Sequence, residues 1–194
     1  LTRDIINNFE NARNFLLNNA SIERITFDAF QRCNNIQVIQ LRDNRIWQLF
    51  NGVFRNCRNV NFLTLESNEL RALNRETFNG LSALDILSLS DNSIYNLPND
   101  VFEHLTNLRQ LQLQNNYIQT LTATLLSPLS NLEFFVCSNC ELGEIHHNAF
   151  STNLRLTNLD LSNNFLSSLA NGVFANLTSL RFLTLGSNRF LRLG

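Results

Sequence analysis

The chain has 194 residues, 44% hydrophobic content and a formal net charge of −1. This is enough apolar sequence for a core, while the even charge balance argues against nucleic acid or an anionic membrane surface as a partner. No apolar run approaches the ~18 residues that a membrane-spanning helix requires, and the first residues lack the pattern of a signal peptide.

A 24-residue repeat organises the chain from end to end. Each unit follows the pattern LxxLxLxxNxLxxLxxxxFxxL, where x is variable. Asparagine occupies the ninth position of six units, and Ala20 and Cys140 occupy it in the other two. The eight units begin, without insertion or deletion, at Ala12, Ile36, Val60, Leu84, Leu108, Leu132, Leu156 and Leu180.

Both ends of the chain fall inside a repeat. Residues 1–11 match the back half of a unit, with Leu1, Ile6 and Phe9 at its apolar positions. At the other end, Gly194 follows the fourteenth-position Leu193 of the last unit. We therefore expect a single solenoid domain over residues 1–194, with partial units at both ends, that is a piece of a longer array.

This unit resembles the typical 24-residue class of the extracellular leucine-rich repeat family, and the resemblance covers the entire chain. Its Phe-bearing form is similar to the repeats of Toll-type and Slit-type ectodomains and of mosquito leucine-rich immune proteins. The resemblance implies an α/β-type solenoid, a leucine-rich repeat horseshoe with parallel strands on its concave face and irregular convex loops. It also implies an extracellular recognition module, with innate immunity as one setting.

The alternation of apolar residues predicts one short strand per unit, with leucines facing inward. One unit cannot bury its apolar face alone, so the units should stack into a parallel sheet. The predicted strand centres are the sixth-position residues Leu17, Leu41, Leu65, Leu89, Leu113, Cys137, Leu161 and Leu185.

Two further columns should lie inside the solenoid. The ninth-position asparagines should satisfy buried backbone groups of their own and the adjacent coil, whereas Asn139, one residue earlier in its unit, should face solvent and tolerate alanine. The nineteenth-position residues should form an aromatic spine on the convex side, with Ile6 and Leu126 as interruptions. The spine residues are Phe30, Phe54, Phe78, Phe102, Phe150 and Phe174.

The four cysteines divide into two pairs. Cys33 and Cys57 share the twenty-second position of adjacent units, where either a disulfide or two buried thiols would fit. Cys137 and Cys140 form a CxxC sequence, but Cys137 occupies an inward leucine position. Cys140 occupies the ninth position, where most units carry the asparagine of what is called here the asparagine ladder. Core filling is therefore favoured over redox or metal chemistry.

Catalytic and metal-binding signals are weak. The histidines His104, His146 and His147 are expected to be solvated loop residues, and no catalytic or nucleotide-binding motif is present. We expect neither an enzyme nor a cofactor or metal site.

The sequons Asn19-Ala20-Ser21 and Asn176-Leu177-Thr178 predict glycosylation at Asn19 and Asn176. Together with the Phe-type repeats and the paired cysteines they favour an extracellular location.

The variable residues at the third, fifth and seventh positions should line the concave face. They carry few charges and include an interrupted apolar column, which is typical of an interface, although β-propensity alone also explains such residues. We predict binding of a protein partner here, with a structural or adhesive spacer as the alternative; a small-ligand pocket would require inserted loops. The predicted partner-binding residues are Val38, Gln40, Arg42, Phe62, Thr64, Glu66, Ile86, Gln110, Gln112, Phe134, Val136, Asp160 and Phe182.

Overall fold

The computed structural model describes residues 1–2 and 11–191, and ten short strands lie within them. In chain order they are β1 (Asn14–Leu16), β2 (Val38–Gln40), β3 (Phe62–Thr64), β4 (Ile86–Ser88), β5 (Gln110–Gln112), β6 (Thr120–Leu121), β7 (Phe134–Val136), β8 (Glu144–Ile145), β9 (Asn158–Asp160) and β10 (Phe182–Thr184). The described residues contain one short 3-10 helix, Cys33–Asn35. The return path of each coil is therefore built mainly from turns.

Eight of the strands form one parallel sheet in the order β1-β2-β3-β4-β5-β7-β9-β10, and β6 and β8 pair in a second. Every aligned pair in the large sheet is 24 residues apart, as Phe62 and Ile86 are. The predicted solenoid with a sheet of parallel strands is thus confirmed. Within the described ranges, no helix is long and apolar enough to cross a lipid bilayer. The terminal residues Ile6, Phe9, Leu193 and Gly194, on which the expectation of partial units partly rests, lie outside the described residues.

The strand centres predicted from the sequence are wrong by two residues. The strands centre on the fourth position, such as Leu63, rather than on the sixth, such as Leu65. The cause is the eighth position, where the backbone takes the left-handed conformation and turns the chain out of the strand direction. Residues with this positive φ are Asn19, Asp43, Ser67, Asp91, Asn115, Asn139, Asn163 and Ser187.

The buried asparagines connect each coil to the one before it. Asn92 Oδ1 accepts a hydrogen bond from the Leu70 amide at 3.0 Å, and its Nδ2 donates to the carbonyls of Leu65 and Leu89, each at 3.0 Å. The amide therefore satisfies backbone groups in two coils, as the sequence predicts. The same pattern recurs at Asn44, Asn68, Asn116, Asn164 and Asn188.

The aromatic spine fills the convex half of the interior. Five of its phenylalanines are at most 1% exposed, and Phe174 is partly buried against the same core. The ring centroids of Phe30 and Phe54 lie 5.3 Å apart, and those of Phe150 and Phe174 lie 5.8 Å apart. Leu126, which interrupts the spine, is fully buried. Aromatic volume thus takes the place of a convex helix.

A close contact between backbones fixes one convex loop. Gly80 has a φ of +99°, and a Cβ atom there would collide with the backbone of Phe54 and Arg55 in the preceding unit. Only glycine satisfies both the conformation and the space at this position.

Removing one ladder amide should lower stability. We expect Asn92→Ala to reduce the free energy of unfolding by roughly 1–3 kcal/mol, because buried backbone groups lose their partners. The matched control is Asn96→Ala, since Asn96 belongs to the same unit and is exposed. Urea unfolding of both variants measures the difference; equal effects would contradict the role of the ladder.

The eighth position gives a second prediction, which differs from the sequence-based expectation that Asn139 tolerates alanine. Asn139 is exposed, but its φ is +53° and its Nδ2 donates to Asn115 Oδ1 at 2.8 Å. We expect Asn139→Ala to lower the free energy of unfolding by about 1–2 kcal/mol. Asn139→Gly should lower it less, because glycine adopts this conformation without strain. Thermal and urea unfolding that rank the two variants the other way would show that backbone strain is not the cause.

Candidate functional site: the concave face

The large sheet arranges the outward side chains in columns. Residues at the third, fifth and seventh positions leave the same face of each strand, and the in-register parallel pairing sets equal positions side by side. In the third column Val38, Phe62 and Ile86 are consecutive neighbours. Further along the sheet, Phe134 is 38% exposed and Phe182 is 63% exposed. The apolar column predicted from the sequence is therefore a spatial feature of this face.

A hollow of about 300 Å³ lies on this face across the strands β1 to β5. It combines the apolar side chains of Phe62 and Ile86 with amide and hydroxyl groups. The hollow brings together eight of the predicted residues, and Val38, Phe134, Val136, Asp160 and Phe182 lie on the face outside it. The lining residues are Asn18, Gln40, Arg42, Phe62, Thr64, Glu66, Ile86, Ser88, Gln110 and Gln112.

The charges on the concave face are paired with each other or with neighbouring groups. Arg42 Nη2 lies 3.4 Å from Glu66 Oε1, and Arg42 Nε lies 3.0 Å from Asp43 Oδ2. Asp160 Oδ1 accepts hydrogen bonds from the Ser162 amide at 3.0 Å and from its hydroxyl at 2.7 Å. The face therefore presents little uncompensated charge to a ligand.

Burial differs between members of the same column. Thr64 was expected to point outward, but it is only 6% exposed, because its short side chain lies among the longer Gln40, Phe62 and Glu66. Its hydroxyl accepts a hydrogen bond from the Glu66 amide at 3.3 Å. Thr64 therefore lies on the concave face, as part of the floor of the hollow.

One polar atom on this face lacks a partner. Among the described residues, Gln114 Oε1 is shielded from solvent and accepts no hydrogen bond. Gln114 occupies the seventh position of the unit that contains β5, in the same column as Glu66 and Ser90. A buried acceptor without a donor costs stability locally.

Sequence reasoning missed a second exposed surface on the side of the solenoid that follows the asparagine ladder. Trp47, Tyr95, Tyr117 and Phe165, at the tenth and twelfth positions, are 41–66% exposed. Two arginines cover aromatic faces there: the Arg24 guanidinium lies 5.0 Å from the Trp47 ring and that of Arg189 lies 3.9 Å from the Phe165 ring. In the sequence, this surface is indicated by aromatic residues at variable positions that face solvent.

Further asparagines tie the opposite side of the coils together. Asn59 Nδ2 donates to the Asn34 carbonyl at 2.6 Å, and Asn107 Nδ2 donates to the Ser82 carbonyl at 2.8 Å. Both donors occupy the twenty-fourth position of their units. Their recurrence at this position is visible in the sequence, whereas the backbone carbonyls that they bind lie in the preceding unit.

The cysteine pairs have different states. Cys33 and Cys57 form a disulfide between adjacent units, with Cα atoms 4.8 Å apart. Cys137 and Cys140 are free and buried. Burial, and then a hydrogen bond with Cys140, raises the pKa of the Cys137 thiol well above its ordinary value, so the reactive thiolate is disfavoured. This environment supports core filling for the CxxC sequence.

The two sequon asparagines and two of the histidines lie at the surface. Asn19 and Asn176 are both exposed, with Asn19 at the end of the first concave coil. The rings of His146 and His147 lie 4.3 Å apart on a convex loop, and His146 Nδ1 accepts a hydrogen bond from the Asn148 amide.

Comparison with known proteins identifies the class of this solenoid. The profile of the family described as leucine rich repeat matches residues 10–70, 34–94, 58–118, 83–142 and 130–190. These matches cover most of the chain, which therefore belongs to the leucine-rich repeat family. No curated protein matches the sequence.

Two solved structures illustrate the similarity. TLR13, in a complex with ssRNA13, is 29% identical with a TM-score of 0.81 over 92% of this chain and 24% of its own. The LRR ectodomain of the plant membrane receptor kinase GASSHO1/SCHENGEN3 from Arabidopsis thaliana, in complex with CASPARIAN STRIP INTEGRITY FACTOR 2, is 28% identical. Its TM-score is 0.71 over 90% of this chain and 20% of its own. The chain thus spans about a quarter or less of either protein.

The disulfide predicts a distinctive pattern of thiol reactivity. Native protein should be alkylated slowly, because both free cysteines are buried. After denaturation without reductant we expect two alkylated cysteines, Cys137 and Cys140, and four after reduction. Intact mass measurement gives the counts and peptide mapping gives the positions. Four reactive thiols before reduction would contradict the bridge.

Proposed function

We propose that this chain is an extracellular protein-recognition module that binds a partner protein through its concave face, in a setting of innate immunity. One observation carries the proposal: Phe62 and Ile86, which belong to the apolar column, line a hollow on a face of low net charge. Such a face offers apolar burial together with neutral hydrogen-bonding groups, such as the side-chain amides of Gln40, Gln110 and Gln112. Both are features of protein interfaces.

The extracellular location is supported by three observations. A structural disulfide such as Cys33–Cys57 persists in oxidising compartments. Two sequons are exposed, and we propose Asn19 and Asn176 as glycan acceptors. The similarity to the ectodomain of a plant membrane receptor kinase also favours an extracellular location for this chain.

A protein partner suits this face better than nucleic acid. Binding of single strands requires a positively charged groove that follows the phosphate backbone. The predicted binding residues include a single cation, Arg42, and its guanidinium already lies beside Glu66 and Asp43. The resemblance of the repeats to those of Toll-type receptors and mosquito leucine-rich immune proteins supports the immune setting. TLR13 was solved in complex with ssRNA13, whereas the charge of this face favours a different kind of ligand. We propose no enzymatic activity for the chain.

Alanine variants of the apolar column test the proposal. We expect Phe62→Ala and Phe134→Ala each to weaken partner binding by ~1–3 kcal/mol, because aromatic anchors contribute much of the energy of an interface. Neither residue belongs to the buried core, so the fold should be retained. The matched control is Tyr95→Ala, an aromatic residue with 66% exposure on the side of the solenoid.

The measurement has two stages. In the first stage, immobilised wild type and variants capture proteins from the extracellular fluid of the source organism. A candidate partner is retained by wild type and by Tyr95→Ala but is lost from both Phe variants. In the second stage, this partner is titrated against each protein. Affinity should depend weakly on salt, because few charges take part. Equal capture by all variants would favour the spacer alternative. Tight binding of a single-stranded RNA oligonucleotide would contradict the choice of a protein partner.

A further inference from the structure

On the convex side, two adjacent repeats bring an imidazole and two carboxylates together. Glu76 belongs to the unit that begins at Val60, and Glu103 and His104 belong to the next. One potential ligand atom from each side chain lies within 4.8 Å of the other two. The neighbouring residues Thr77 and Phe102 are fully buried, so both loops are held by the core. The sequence predicts His104 to be a solvated loop residue; its side chain is 34% exposed and belongs to this cluster.

His104 carries an unsatisfied nitrogen in this cluster. Its Nε2 atom is shielded from solvent and forms no hydrogen bond within the described part of the chain, although it lies 3.2 Å from Glu103 Oε1. This distance lies within hydrogen-bonding range, but the relative orientation of the two groups does not allow a hydrogen bond. A cation bound here would give the nitrogen lone pair a partner and would offset the charge of the carboxylates.

Each carboxylate is oriented by a neighbouring side chain. Asn79 Nδ2 donates to Glu76 Oε2 at 2.9 Å, and Arg75 Nε donates to Glu103 Oε1 at 2.6 Å. Hydrogen bonds of this kind orient metal ligands in known sites, and each carboxylate keeps a second oxygen.

The side chains around this cluster carry an excess of negative charge that a divalent cation would balance. Glu76, Asp100 and Glu103 supply three carboxylates, and the Arg75 guanidinium lies 3.8 Å from Asp100 and 2.6 Å from Glu103. The single guanidinium offsets only one of the three negative charges. This excess stands out in a chain whose formal net charge is −1.

We propose that Glu76, Glu103 and His104 bind a zinc ion that links the third and fourth repeats counted from Ala12. One nitrogen and two oxygen donors, with a remaining position for water, suit zinc. Calcium takes six to eight oxygen ligands, and magnesium is bound through oxygen donors and water, so the imidazole nitrogen favours zinc over both ions. The ion would connect two convex loops that belong to different coils.

The first test is calorimetric titration of zinc chloride into protein that has been treated with a chelator and dialysed, with its disulfide intact. We expect one zinc ion per chain and a rise in Tm on zinc addition, because the ion binds the folded state. Calcium chloride at the same concentrations should give no saturable binding. Absence of saturable zinc binding, or calcium binding of equal affinity, would overturn the proposal.

Variants then locate the site. We expect His104→Gln and Glu76→Gln each to weaken zinc binding at least about tenfold, with circular dichroism spectra like that of wild type. The matched control is His147→Gln, since the adjacent rings of His146 and His147 are the competing exposed imidazoles. Wild-type zinc affinity in His104→Gln, or its loss in His147→Gln, would place the ion elsewhere and refute the site.

Discussion

The hydrogen bonds of the buried ladder amides are the interaction on which the rest of the solenoid depends. Strands of three residues leave much of the turning backbone unpaired, and each unpaired buried group costs roughly 1–3 kcal/mol. An asparagine supplies a donor and an acceptor together, so Asn92 satisfies groups of its own and the preceding coil. At Cys140 the thiol still donates to the Leu113 carbonyl, but a cysteine supplies no amide oxygen. Asn116 and Asn164 hold the coils on either side of this substitution.

The same stacking of units determines the surface shape of the concave face. Equal positions of successive units lie side by side, so the length of each outward side chain decides whether it protrudes or forms part of a floor. Thr64 and Ser88 are short and nearly covered, at 6% and 4% exposure, whereas Phe62 and Ile86 rise beside them. A hollow therefore forms without any inserted loop, through variation in side-chain size within a constant backbone.

Much of the fold could be predicted from the sequence because its period is unbroken. The inward leucines, the asparagine ladder and the phenylalanine spine repeat at one spacing, and that spacing also placed Cys33 opposite Cys57. The sign of φ at the eighth position was not predicted, since residues as different as Asp43, Ser67 and Asn139 occupy it.

The candidate sites were predicted less completely. The columns of the concave face follow from alternation, but the covering of Thr64 depends on the sizes of its spatial neighbours. The Glu76, Glu103 and His104 cluster was missed because its members come from different positions of their repeats, so a comparison of equivalent positions does not align them. Gly80 shows the same limit, because its close contact involves the backbone of another unit.

On the convex side, successive units are joined by different interactions at related positions. The twenty-second position carries the disulfide between Cys33 and Cys57. At the same position Asn153, which is fully buried, donates to the carbonyls of Leu126 and Leu129 at 3.1 and 2.9 Å. In a solenoid each unit is stabilised chiefly by its neighbours, so such connections act on the curvature of the stack as well as on local stability. Because the concave columns are carried by the same coils, the convex connections also help to set the spacing between Phe62 and its neighbours in the third-position column. The proposed zinc ion between the third and fourth repeats would add one more connection of this kind.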